Sequence, residues 1–167
     1  MTIQNNIILT HNEIENKIRR IAYQIYENNV DENQIILAGI DKNGYVLARK
    51  LKSVLSKISS IEPMLCKVNI DKKNPRNPIH TSLKVEEYIN QSVVLIDDVL
   101  NSGTTLIYGV RHFLDVPLKQ FKTAVLVNRN HKKYPVKADF KGISLSTSLN
   151  EHIDVKLQGK SFEAILV

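Results

Sequence analysis

Two adjacent carboxylates, Asp97 and Asp98, close an apolar run and are soon followed by Asn101, Ser102, Gly103, Thr104 and Thr105. The second group offers successive backbone N–H donors and hydroxyls just where a helical pattern opens. A helix N-terminus adds unpaired amides and the positive end of a dipole, so this stretch suits a dianionic phosphate. Gly103 lets the backbone come close to such an anion. Neighbouring carboxylates accept hydrogen bonds from vicinal hydroxyls and favour a nearby divalent cation. A phosphate site beside a diol site fits a ribose 5-phosphate. The stretch is not a Walker loop, because GK[ST] is missing, and not a dinucleotide fingerprint, because two of the three glycines are missing.

The elements that position these residues follow from periodicity. Ile7 to Leu9 reads as a short strand, and Thr10 with Glu13 forms a capping box for a helix that carries Ile14, Ile18, Ile21, Ala22 and Ile25 and ends near Glu27. Ile35 to Ala38 is too short for a helix and predicts a buried strand, then a turn at Asp41 to Gly44 and a helix through Leu55. Leu65 to Ile70 predicts another strand. Asp71 to Thr81 is polar, contains Pro75 and Pro78 and lacks periodicity, which predicts a mobile surface loop. Val93 to Ile96 is the strongest buried-strand signal; a helix from Thr104 to about Leu114 follows, then a strand at Ala124 to Val127. Four central strands with intervening helices imply an α/β fold with a parallel, doubly wound sheet and a ligand at the carboxyl ends of its strands. The tail from Asn128 is loop-rich, with strand candidates at Asp154 to Leu157 and Ala164 to Val167. With the N-terminal strand it can make a small cap at the sheet edge.

The 167 residues suit one domain with a core that needs no staple. The single cysteine, Cys66, has no intramolecular partner, which argues for a reducing, cytoplasmic setting and against structural zinc. No run of about 18 apolar residues is present, so no membrane span is expected. The net charge of +6 favours polyanionic partners, phosphorylated substrates or nucleic acid. His11, His80, His112, His131 and His152 are scattered, and none is assigned a catalytic role.

The stretch from Val93 to Thr105 resembles, position by position, the PRPP-binding fingerprint of the type I phosphoribosyltransferases. Ala38 to Gly44, followed by Tyr45 to Ala48, looks like that family's pyrophosphate loop, formed here by Asp41, Lys42, Asn43 and Gly44. Arg129-Asn130-His131, Pro135 to Gly142 and Ser146 to Ser148 look like the hood of its pyrimidine-operon regulators. The resemblance spans nearly the whole chain. It implies a single domain over 1–167 with hood segments at about 1–10 and 128–167 and a flexible loop at about 71–82. It implies transfer of ribose 5-phosphate from PRPP to a nucleobase, with Asp97 and Asp98 catalytic. Mg²⁺ would be held by PRPP and by water near those acids, with no direct protein ligand. Asn128, Arg129, Phe140 and Lys141 would bind the base, Phe140 by stacking and Lys141 through its backbone, while Lys72, Lys73 and Arg76 would serve the flexible loop. A second copy of the chain, in a homodimer or higher homo-oligomer, and leader RNA are the implied macromolecular partners, although no run of five or six basic residues occurs.

The chain departs from the family at several positions. Asn101 stands where purine-type relatives usually carry aspartate, which points to a pyrimidine, most readily uracil; the alternatives are hypoxanthine or guanine as acceptor, or a nucleotide-sensing RNA-binding regulator with little catalysis. Asn43 replaces an arginine usual before the glycine, Thr104 replaces a frequent arginine or lysine, and Asn128 replaces aspartate or lysine. The loop at 71–81 is shorter than in the regulators.

Overall fold

The computed structural model describes residues 6–129, 131–148 and 150–167; the start of the expected hood, 1–5, and Asn130 lie outside the described residues. Among the described residues, nine strands and four helices follow in the order β1 (Asn6–Leu9), α1 (His11–Glu27), β2 (Gln34–Ile40), α2 (Asn43–Ile58), β3 (Glu62–Asn69), β4 (His80–Thr81), α3 (Val85–Tyr88), β5 (Ser92–Leu100), α4 (Thr104–Phe113), β6 (Gln120–Arg129), β7 (Phe140–Leu145), β8 (Ile153–Lys156) and β9 (Glu163–Leu166). Thr10 and Glu13 make the reciprocal capping box at the start of α1, and Ile14, Ile18, Ile21, Ala22 and Ile25 form its buried stripe.

The main sheet has the order β4-β3-β2-β5-β6-β7, parallel except for the antiparallel β4. Its central strands are apolar on both faces because helices cover both. Ile35, Leu37, Val94, Ile96, Ala124 and Leu126 pack with α1 and α2 in one core cluster. The alternate residues Ile36, Ala38, Val93, Leu95 and Val125 pack with Tyr88 of α3 and with Leu106 and Phe113 of α4 in the other. The doubly wound expectation is met, with two central-sheet strands that periodicity had not marked: β7 in the supposed loop-rich tail and the two-residue β4. A separate sheet, β1-β9-β8, joins the N-terminal strand to the chain's end, as the cap reading expected.

The chain moves from β2 to β3 on one side and from β5 to β6 on the other, so the topological switch lies between β2 and β5. β5 pairs with β2 only as far as Ile96, opposite Gly39, whereas it stays paired with β6 through Leu100. Beyond Ile96 one edge of β5 is therefore open, and the two acids occupy that stretch.

Candidate active site

Two helix N-termini converge on the open edge. α2 starts at Asn43 directly after β2, and no side chain caps it at Lys42. α4 starts at Thr104 directly after β5, preceded by Gly103 in the left-handed region at φ 88°. The Thr104 amide donates to Ser102 Oγ at 3.3 Å, while no N-cap side chain takes the other first-turn amides of either helix, and both dipoles place positive potential at the crevice. Close packing fixes this geometry: a Cβ on Gly44 would lie 2.6 Å from the Ile96 carbonyl oxygen and 3.0 Å from Asp97 Cα. Only glycine lets α2 begin so near β5.

Asp41, Lys42, Asn43, Asn69, Asp71, Lys72, His80 and Asp98 line a cleft of about 660 Å³, well within the range of small-molecule sites. An adjoining hollow of about 110 Å³ is lined by Asp97, Asp98 and the whole of Asn101 to Thr105, again with Lys72. The structure thus brings together the acids, the phosphate loop, three of the four residues of the pyrophosphate loop and one flexible-loop lysine. Gly44 sits beneath them as packing.

The two acids differ. Asp97 is 4% exposed, and burial, then the neighbouring Asp98 charge, push its carboxyl well above the usual range, with Lys72 pulling the other way. Its Oδ1 accepts from the Asp98 amide at 2.9 Å. Asp98 is half-buried and accepts from the Val99 amide at 2.9 Å and from Asn43 Nδ2 at 3.0 Å. Asn43 Nδ2 also donates to the Val155 carbonyl at 2.9 Å, tying the acid to β8 of the cap. This use of Asn43, in place of a charged contact to the ligand, was not legible in the sequence because β8 is remote in the chain.

Adjacent carboxylates, one of them buried and in no salt bridge among the described residues, suit a divalent cation. Among the described residues no group of three or more Asp, Glu, His or Cys side chains is arranged to hold a metal. Two carboxylates alone would suit a Mg²⁺ that arrives with its own oxygen ligands, which Asp97 and Asp98 would hold through water.

The phosphate loop is braced from behind. The Ser102 carbonyl accepts from the Lys133 amide at 2.8 Å and the Tyr134 amide at 3.2 Å. The Ser102 and Thr104 hydroxyls share a 2.8 Å hydrogen bond. A Cβ on Gly103 would meet Val136 Cγ1 at 2.7 Å, so this glycine answers both to its φ and to the crossing segment. Bracing by Lys133 to Val136 is another feature that no local pattern announces.

Several expected roles change. Phe140 is 6% exposed in the core cluster beneath α1, opposite Ala124, which itself faces Ile96. It lies below the level of the acids and lines neither the cleft nor the hollow, so it cannot stack on a ligand there. The Lys141 carbonyl is taken by Arg20 Nη1 at 3.2 Å, and its position faces Val125 within the ladder. The base-reading role of this pair is withdrawn: β7 carries its site end at Ser144 and Leu145, not at its start. Arg129 and Asn128 do sit at the carboxyl end of β6, next to Leu100 and Ser144. Asn128 is 5% exposed, donates through Nδ2 to Ser144 Oγ at 3.2 Å, and has an Oδ1 with no partner among the described residues.

The segment at 71–82 is a turn rather than a formless loop. Asp71 Oδ1 accepts from the Lys73 amide at 2.9 Å and the Asn74 amide at 3.2 Å, and Oδ2 accepts from Asn77 Nδ2 at 3.0 Å. Those amides hold the Asp71 carboxyl below its ordinary value. Of Lys72, Lys73 and Arg76, only Lys72 lines the cleft, where His80 joins it. Lys73 lines neither cavity, and Arg76 lies instead beside Tyr108 and Arg111.

Comparison with known proteins agrees with this fold. A family model described as "Phosphoribosyl transferase domain" matches residues 4–160. The chain is 33% identical to the "Bifunctional protein PyrR" of Fusobacterium nucleatum, covering 99% of this chain and all of that one. It is 32% identical to the protein of the same name from Leuconostoc mesenteroides, covering 92% of each. Among solved structures it resembles a hypoxanthine-guanine phosphoribosyltransferase from Bacillus anthracis, with a TM-score of 0.77 at 18% identity over 97% of this chain and 98% of the other. The hypoxanthine phosphoribosyltransferase of Trypanosoma cruzi gives a TM-score of 0.76 at 17% identity over 89% and 84%. At such identities these structures speak for the fold alone. With the family model spanning almost all of the chain, and relatives about a third identical over nearly its whole length, the chain belongs to the phosphoribosyl transferase family, the PRPP-dependent pentosyltransferases of type I fold.

Proposed function

We propose that this chain transfers ribose 5-phosphate from PRPP to uracil, releasing pyrophosphate, and that it also binds leader RNA. The observation that carries the reading is the convergence of two uncapped helix N-termini on Asp97 and Asp98 at the switch point between β2 and β5. The amides of Ser102 to Thr105 hold the 5-phosphate, and those at the start of α2, with Lys42 and Lys72, hold the diphosphate. Asp98, oriented by Asn43, accepts from a ribose hydroxyl. The bond between C1 of the ribose and the diphosphate oxygen breaks with its electron pair leaving on pyrophosphate. A base nitrogen forms the new bond on the opposite face of C1 and loses its proton to solvent. Charge stabilisation dominates, because the reacting carbon passes through an oxocarbenium-like state. Mg²⁺, when bound, neutralises charge on the departing diphosphate.

The base lies over the carboxyl ends of β6 and β7. Support comes from Asn128, whose buried, unpartnered Oδ1 is costly unless an incoming N–H donor satisfies it. Uracil is favoured over a purine because Asn101 cannot serve as a proton acceptor and is already engaged by Arg129 at 3.0 Å. Support for RNA binding is the net charge of +6 and the likeness to proteins named bifunctional.

Pyrophosphate release from PRPP against uracil, hypoxanthine, guanine, xanthine and adenine tests this reading. Uracil is expected to be the fastest acceptor, by about 10-fold or more, the size of one well-placed hydrogen bond. In the same preparation, UMP is expected to change the retardation of leader RNA on a gel. Faster turnover of hypoxanthine would overturn the pyrimidine assignment, and a leader RNA unmoved at low salt would remove the RNA part.

A further inference from the structure

We infer that Arg129 is a positioning residue for the loop Asn101 to Thr105 and places a positive charge behind it; this rests on the reading of Asn101 to Thr105 as the phosphate site. Arg129 is the last residue of β6 and is 6% exposed. Each of its guanidinium nitrogens is committed. Nη1 donates to Asn101 Oδ1 at 3.0 Å, Nε to Thr147 Oγ1 at 2.8 Å and Nη2 to the Ser148 carbonyl at 3.0 Å. One planar group thereby joins the phosphate loop to the segment beyond β7.

All three acceptors are neutral. Among the described residues Arg129 takes part in no salt bridge. Glu151 senses its charge only weakly: hydrogen bonds from Ser148 are the main reason that this exposed carboxyl is held low, and Arg129 is the smallest contributor. A buried guanidinium without a carboxylate is an incomplete ion pair, and such a cation is costly unless an anion compensates it. A phosphate dianion in the hollow lined by Asn101 to Thr105 completes the pair, one residue away from the guanidinium. The buried cation thus reaches the loop through Asn101. The arrangement also explains why Asn101 suits this chain: its carbonyl accepts from Arg129 without neutralising it, whereas an aspartate would pair with the arginine and cancel the charge that the phosphate needs.

The test is binding of ribose 5-phosphate by calorimetry, with steady-state kinetics on PRPP and base, for wild type, Asn101→Ala, Arg129→Lys, Arg129→Met and the double variant Asn101→Ala/Arg129→Met. The affinity for ribose 5-phosphate is expected to fall about 5-fold in Asn101→Ala and about 30-fold in Arg129→Met, the range of one charge-assisted hydrogen bond or more. Arg129→Lys should fall between them, and the double variant should be no worse than Arg129→Met alone. The KM for PRPP should rise by similar factors while the KM for base changes less than about 3-fold. Equal losses for PRPP and base, or additive losses in the double variant, would overturn the inference. Should Arg129→Met not fold, unchanged ribose 5-phosphate affinity in Asn101→Ala overturns it alone. A wild-type protein that does not bind ribose 5-phosphate instead overturns the phosphate-site reading on which it rests.

Discussion

Asparagine in place of both Asp97 and Asp98 is expected to lower PRPP-dependent turnover by about 10²–10⁴-fold, because two hydrogen bonds to charged acceptors, at about 1.5–3 kcal/mol each, are weakened together. The same change is expected to leave the fold intact and to make the unliganded protein more stable at neutral pH. Asp97 is buried beside a second carboxylate, and its folded pKa is raised above the unfolded value. The stability associated with such a group is fully present below the unfolded pKa and is lost as pH rises through the folded pKa, since the folded state holds a proton that the unfolded state has released. Stability of the wild type should therefore decline over that window relative to Asp97→Asn, whose melting temperature should be the higher of the two at neutral pH. Asp71 and Glu151 have lowered values and act in the opposite sense, gaining stability above their unfolded pKa and losing it on acidification, but they are common to both proteins. Thermal melts of the pair from pH 4 to 8 measure the difference. Parallel curves would show that Asp97 carries no such burden, and unchanged turnover in the double variant would refute the catalytic assignment.

A single methyl group at Gly44 is expected to do comparable harm by a different route. Its Cβ would meet backbone on two sides, the Ile96 carbonyl and Asp97 Cα, and approach Asp97 Oδ1 at 3.3 Å. Backbone cannot swing away as a flexible side chain can, so the first turn of α2 must withdraw from β5. Gly44→Ala should cost about 1–3 kcal/mol of stability, in the manner of overpacking. The KM for PRPP should rise by at least about 10-fold, because the amides that face the diphosphate move with the helix. Gly109→Ala serves as a control: its Cβ meets chiefly Leu95 Cδ2 at 2.9 Å, the far end of a side chain that can turn. Chemical denaturation with PRPP kinetics distinguishes the two. A Gly44→Ala enzyme with wild-type KM would mean that α2 does not hold the diphosphate.

What the sequence made legible was whatever is written locally. The 3.6-residue stripe of α1 and its Thr10–Glu13 box, the apolar runs of β2 and β5, and the acids followed by Ser102-Gly103 at a helix start are each contained within one segment. Their convergence follows from the parallel sheet, since consecutive β-turn-α units leave their turns at one end. Features that depend on remote pairing were not legible. β7 was missed because its pattern is interrupted: Lys141 and Ser144 are exposed while Gly142 presses against Leu126. Phe140 was misplaced for the same reason, because an aromatic in a supposed loop looks like a ligand contact until the strand that buries it is known. The contacts of Asn43 and Arg129 cross from the site to residues 112 and 18 positions away, and no spacing rule reports such pairs. Lys72 was distinguished from Lys73 and Arg76 only by the turn that Asp71 organises.

The claim on which the rest depends is that the start of α4 grips the terminal phosphate of a pentose beside the open edge of β5. Backbone amide shifts on titration with ribose 5-phosphate test it most directly. The account predicts that Ser102, Gly103, Thr104 and Thr105 show the largest changes, and that Asn43 to Tyr45 respond strongly only when PRPP with Mg²⁺ replaces the monophosphate. A titration that leaves residues 102–105 unmoved while the ligand binds elsewhere would contradict it.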